Sequence, residues 1–334
     1  MLPFLKQRWF LILLAIVMGV GILRGPQLHG LAEHKPLRDL NVAFVLFLMA
    51  LPLEASAIWR TFRRPLAPLL AVFVTFGLLP LLAWGVSKLL TGGQGPGLLI
   101  AAATPCTVAS AAVWTRRAGG NDAVATMVTV ITNAICFVVT PLWLVVFLGD
   151  GVKSDELEFS KAVVQLGRLV VIPMIAAQVL RLWKPLAAWS LRHKVPLSIL
   201  AQLGLLYMVL VGAIQTGVQL AGGAAKTAQV PGWFDFALML AGVVFVHTTA
   251  CYAGLALSKW CGLPREDQIA VGFSGSQKTL MIGLKVALDY QISILPMVTF
   301  HVAQLLVDTV IADRLARTPR PKPPIVIDSP PNPS

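Results

Sequence analysis

The chain has 334 residues, of which 57% are hydrophobic and 13% charged. That balance excludes a soluble globular domain, whose interior is too small to hide so much apolar surface; a bilayer accommodates it at roughly 20 apolar residues per helix. The formal net charge of +12 does not point to nucleic acid. Lys and Arg sit at the ends of apolar runs, where they orient a membrane protein and meet anionic headgroups.

From the N-terminus, Lys6 and Arg8 precede an apolar stretch, Trp9 to Leu23. It is long for a signal peptide and lacks an A-x-A cleavage site, so it reads as a retained first helix. Further apolar runs follow near 38–58, 66–90, 97–115, 122–148, 162–182, 196–219, 235–258, 267–288 and 291–313, separated by Pro, Gly and charged clusters. Lys and Arg concentrate at alternate loops, among them Arg63, Arg64, Arg116, Arg117, Arg192 and Lys194. The bias places both termini in the cytoplasm and requires an even number of spans. An acidic loop, Asp150 to Glu156, divides the runs five and five. The halves, 1–150 and 151–316, then have opposite orientations, the inverted repeat common in secondary transporters. The remainder, 317–334, contains seven prolines and is expected to be a disordered cytoplasmic tail.

The expected fold is therefore all-α: ten transmembrane helices as two inverted five-helix repeats in a plasma membrane, such as a bacterial inner membrane. Expected partners are membrane lipids and a small anionic substrate, with no nucleic acid and no cofactor; oligomeric state is not legible. Cys106, Cys136, Cys251 and Cys261 show neither CxxC spacing nor a His partner, so neither a disulfide framework nor a zinc site is indicated.

Two runs break the pattern, each the fourth of its half. In the first, Thr104-Pro105-Cys106-Thr107 and Ser110 interrupt the apolar stretch at mid-depth; in the second, Gly272, Ser274, Gly275, Ser276, Gln277, Lys278 and Thr279 do so. Pro105 removes a backbone donor, and the glycines weaken the other helix. Unwound backbone at the bilayer midplane is tolerated only where it lines protein or a water-filled cavity, and two breaks at corresponding places point to a binding site between repeats. Kinked helices packed through Ser and Thr are the alternative.

Lys278 falls near the bilayer centre, where an ionisable group is costly and by default functional. The sequence places no carboxylate at its depth. Carbonyls, Gln277, hydroxyls or an anionic substrate would then satisfy it, or it would take and release a proton; a purely structural lysine is the third reading. Thr129 and Asn133 share a helix face, His301 and Gln304 lie three apart, and Asn121 can cap the fifth helix. Gly272-Phe273-Ser274-Gly275 also has the GxSG pattern of rhomboid proteases, but Lys278 and the helix count have no place there, and no enzyme is expected.

Together these motifs, with Phe300-His301-Val302-Ala303-Gln304-Leu305, resemble the bile acid:sodium symporter family, in its SBF-like branch, over residues 5–316. The resemblance implies that helices 4 and 9 are broken and cross. It also implies that helices 1, 2, 6 and 7 form one panel, that the rest form a core, and that substrate lies in the crevice between. It carries sodium ligands onto Ser110, Ala111, Thr129 and Gln277, with sodium as coupling ion. Two departures matter. Phe273-Ser274 stand where the family has an acidic residue, and Ala111 stands for its Asn. Lys278 follows Gln277, and an ammonium there would repel a second cation a few ångströms away, so coupling would be proton-linked or absent. The expected activity is transport of an organic anion by alternating access. Metalloid efflux, with Cys106 as ligand, and a non-transporting regulator of ion homeostasis are the alternatives.

Overall fold

The computed structural model describes residues 2–53, 65–108, 110–148, 159–221 and 232–317, and every regular element among them is helical. The acidic loop and the proline-rich tail lie outside the described residues. Helix α1 (Leu2–Leu23) turns through 105° into α2 (Gly25–Glu33), which is followed by α3 (Lys35–Ala50). Helix α4 (Leu66–Ser87) contains a widened π-helical stretch, Val74–Leu78, just before Pro80. Then come α5 (Gln94–Ala103), α6 (Ser110–Arg117), α7 (Asp122–Leu148) and α8 (Phe159–Leu180). Short α9 (Lys184–Arg192) leads into α10 (Lys194–Ala221) and α11 (Trp233–Trp260). The chain closes with α12 (Arg265–Ser276), α13 (Leu280–Asp289) and α14 (Leu295–Arg317).

Six of these, α4, α7, α8, α10, α11 and α14, are long and apolar enough to cross a membrane, and the bent pair that starts at Trp9 makes a seventh if counted as one span. Each half of α5/α6 and α12/α13 has only 8 to 12 residues. At about 1.5 Å per residue none of these halves reaches across a hydrocarbon core of about 30 Å alone. Leu69, Val146, Ile172 and Ile175 are each more than half exposed. A surface of that kind is stable against lipid rather than water, and the chain is a multi-pass membrane protein.

The helices pack as two groups. Helix α10 lies against α1, α2 and α3, and α3 lies against α8. Helix α12 lies against α4, α6, α7 and α11, and α14 against α5 and α11. The α1–α10 contact is close because its residues are small. A Cβ on Gly217 would sit 2.4 Å from the Ile22 carbonyl oxygen, and one on Gly21 2.4 Å from the Ala213 Cβ. Without a hydrophobic force between helices in lipid, such backbone approach supplies the packing energy. Gly217→Ala should therefore lower the melting temperature of the detergent-solubilised protein, by about 1–3 kcal/mol of overpacking strain. Gly19, whose Cβ would meet nothing within 4 Å, should tolerate alanine without loss.

Candidate functional site

Helix α5 stops at Ala103 because Thr104 turns extended (φ −75°, ψ 158°) and Pro105 follows. The carbonyls of the break lose their helical partners, and each acquires a side-chain or main-chain donor. Thr140 Oγ1 donates to Ala103 O at 2.8 Å, and Lys278 Nζ donates to Thr104 O at 2.8 Å. Thr279 N donates to Pro105 O at 2.9 Å, Asn133 Nδ2 to Cys106 O at 2.9 Å, and Thr129 Oγ1 to Thr107 O at 3.3 Å. In the other direction, Cys106 N donates to Thr132 Oγ1 at 3.2 Å. The polar face of α7 thus replaces the missing turn of helix.

The second break is built against the first. Helix α12 ends where Gln277 turns extended (φ −74°, ψ 142°), and Thr279 remains extended before α13 begins. Gln304 on α14 clasps the Lys278 backbone from both sides: Lys278 N donates to its Oε1 at 2.9 Å, and its Nε2 donates to Lys278 O at 3.0 Å. The same Nε2 lies 3.1 Å from His301 Nδ1. Thr75 Oγ1 shares its one proton between Gly275 O at 3.1 Å and Ser274 O at 3.3 Å. The Thr279–Pro105 bond makes the two breaks cross in direct contact.

Lys278 is 2% exposed, and its Nζ points across the crossing, away from solvent. Nζ donates to Thr75 O at 2.6 Å and Thr104 O at 2.8 Å, 5.5 Å from the Phe76 ring centroid. Pro80 explains the first partner. In the π register of α4, Leu79 N donates to Val74 O, so Thr75 O would need the N–H that Pro80 lacks. The α-register partner of Pro80, Phe76 O, is met by Trp143 Nε1 at 2.7 Å.

From this core a chain of polar side chains leads outward. Ser110 Oγ donates to Gln277 Oε1 at 2.8 Å, and Gln277 Nε2 donates to Asp308 Oδ2. Asp308 Oδ1 lies 2.8 Å from His247 Nε2, and His247 Nδ1 lies 3.2 Å from Ser276 O. Asp308 and His247 are both fully buried. Ser110 and Thr107 reach a cavity of about 620 Å³ between the two helix groups. Leu48, Met49, Leu197, Ala201 and Leu205 line one wall, with Thr107, Val108, Val113 and His301 opposite; Arg116, Asp122 and Lys194 stand at its mouth. At the other end the groups are tied together: Lys285 on α13 pairs with Asp39 on α3 at 2.9 Å and with Asp289, and Gln165 on α8 donates to Asp289 at 2.9 Å.

Residues 8–317 match the model of the SBF-like CPA transporter family. The chain belongs to this family. It is 28% identical over 290 residues to an uncharacterized protein of Pseudomonas aeruginosa, covering 84% of both chains. It is 25% identical over 331 residues to the sodium/bile acid cotransporter 7 of Danio rerio, covering 92% of this chain and 93% of the relative. It is also 24% identical over 327 residues to the Rattus norvegicus protein of the same name, covering 92% of both. The SBF-like CPA family is a family of transporters, not of enzymes.

Against this SBF-like frame, the residues singled out in sequence separate into three sets. Thr104, Pro105, Cys106, Thr129, Asn133, Ser274, Ser276, Gln277, Lys278, Thr279 and Gln304 gather around the crossing. Thr107, Ser110 and His301 also border the cavity. Asn121 stands apart at the start of α7, where its Oδ1 accepts from Ala123 N at 3.2 Å and its Nδ2 donates to Asp267 at 2.8 Å. One expectation is corrected: a carboxylate does lie at the depth of Lys278, because Asp308 holds the side chain of the preceding residue. A charged residue and a histidine inside apolar runs were the available signal for Asp308 and His247; their pairing needed the fold.

Replacing Gln304 by Leu strands the buried N–H and C=O of Lys278. At about 1–3 kcal/mol for each unpaired group, the variant should melt well below the wild type in detergent. An unchanged melting temperature would remove Gln304 from the set that holds the crossing.

Proposed function

We propose that this protein carries a small amphipathic organic anion across the membrane by alternating access. The carrying observation is a cavity beside two crossed, broken helices, open at one end and tied shut at the other by the Lys285 ion pairs. The reading takes the chain as ten spans in two inverted repeats, 1–150 and 151–316. The α5/α6 and α12/α13 pairs each supply one broken span, and their breaks stand in corresponding places. The α1–α3, α8 and α10 group then forms the panel, and the other helices form the core that moves against it.

The chemistry of the cavity supports an anion with an apolar body. Its walls are Leu, Met, Val and Ala, with Ser110, Ser198, Gln202 and His301 as scattered polar contacts. At the mouth, Arg116 is paired with Asp122, whereas Lys194 makes no ion pair among the described residues. The surplus charge is positive. Lys194 and Arg116 also belong to the loops that carry the basic bias, so the open end faces the cytoplasm of a plasma membrane with both termini inside. The names of the Danio and Rattus relatives, sodium/bile acid cotransporters, agree with an amphipathic anion as the substrate class. Cys106 does not favour a metalloid: it is fully buried and contacts Thr129 and Thr107 rather than the cavity.

Two measurements test the reading. Purified protein in liposomes should exchange at least one radiolabelled amphipathic carboxylate or sulfate, and Ala201→Trp, which fills the cavity from α10, should reduce that flux by roughly an order of magnitude or more. Flux of equal size in Ala201→Trp would place the pathway elsewhere. Asp39→Asn should loosen the closed end, and a cysteine placed near Lys285 should become reactive to a membrane-impermeant thiol reagent added outside. Unchanged protection would mean that the Lys285 pairs do not hold that end closed.

A further inference from the structure

We propose that the Lys278 ammonium is the resident cation of the helix crossing, and that this carrier therefore neither binds nor needs sodium there. The inference deepens the transporter reading by assigning its ion dependence, and the binding experiment below tests it without any transport.

Two carbonyl oxygens from separate elements converge on one positive charge. Thr75 O comes from the widened turn of α4 and Thr104 O from the broken end of α5. Neither has a helical donor: Pro80 cannot supply one to Thr75, and the chain after Thr104 is no longer helical. The Phe76 ring presents its face from a third side, an arrangement that attracts a cation. Carbonyls freed from unwound helices are the oxygen donors on which transporters hold monovalent cations. Here the cation is covalently attached, on a stem buried among the helices.

The side chains onto which sodium ligands were carried supply no negative charge to a free ion. Ser110 Oγ and Gln277 Oε1 are neutral oxygens that bond to each other, and Gln277 turns its Nε2, not an oxygen, to Asp308. Thr129 Oγ1 shares its one proton between Ala125 O at 3.0 Å and Thr107 O. Ala111 offers no side-chain oxygen, and each carbonyl from Ala103 to Thr107 already accepts a protein hydrogen bond. A sodium ion placed among them would meet the ammonium's like charge, with no carboxylate of its own to offset it. Asp308, the buried carboxylate nearby, is satisfied by Gln277 and His247.

The test uses purified full-length protein in detergent at constant ionic strength, with choline chloride as the reference salt. Wild type should show no sodium-dependent rise in melting temperature and no saturable ²²Na⁺ binding. Lys278→Ala should melt lower, and n-propylammonium, which with the alanine Cβ restores the four-carbon stem and its charge, should raise its melting temperature in a concentration-dependent way while leaving wild type unchanged. Saturable ²²Na⁺ binding to wild type overturns the proposal. So does a Lys278→Ala protein that folds and responds to neither propylammonium nor sodium, because the lysine would then be a packing strut. If Lys278→Ala does not fold, the wild-type ²²Na⁺ measurement decides alone. Absence of organic-anion flux with sodium-insensitive wild type and cation-rescued Lys278→Ala would count against the transporter reading and leave this one standing.

Discussion

A backbone carbonyl or amide left unpaired in hydrocarbon costs several kcal/mol, so a helix cannot simply stop at mid-bilayer. This protein interrupts two helices, after Ala103 and after Ser276. The cost is offset because the breaks complete each other: Thr279 donates to Pro105, the Lys278 side chain reaches Thr104, and the polar face of α7 covers what remains. The site geometry follows from that mutual satisfaction. Helices α5, α6, α12 and α13 are held together at their interrupted ends, and the cavity opens beside the join rather than through it.

The same constraint explains the irregularity of α4. Pro80 leaves two carbonyls without donors, and the fold supplies one side chain to each, Trp143 to Phe76 and Lys278 to Thr75. A lysine inside the membrane is thereby placed where main-chain oxygens are in surplus. Asp308 is treated likewise, with His247 and Gln277 on either side. Buried polar groups of this kind are stable only when every member has a partner, which couples α11, α12 and α14 into one rigid unit.

Much of this was legible in the sequence, for identifiable reasons. Hydrophobic run length gave the membrane and the places of the long helices, because the bilayer imposes one length scale. Pro105 and the Gly272–Thr279 stretch announced the breaks through local chemistry that needs no tertiary information. The 105° bend after Leu23 and the separate short α9 were not visible, because α2 and α9 are short, polar-rich helices that fall between the apolar runs. Nor were the partners of Lys278. They are main-chain atoms, exposed by a widened turn in one helix and a stop in another, and no side-chain motif encodes them. Asp308 carried a signal as a lone acid in an apolar run, yet its link to Gln277 spans 31 residues and depends on how α12 and α14 pack.

Amide hydrogen exchange across residues 274–282, followed by mass spectrometry on the protein in lipid nanodiscs, reaches the join directly. If the two interrupted helices seal one another, the Lys278 and Thr279 amides exchange as slowly as those in the middle of α10. Exchange as fast as in the Gly92–Gly93 turn would mean that water enters the crossing and that neither break depends on the other.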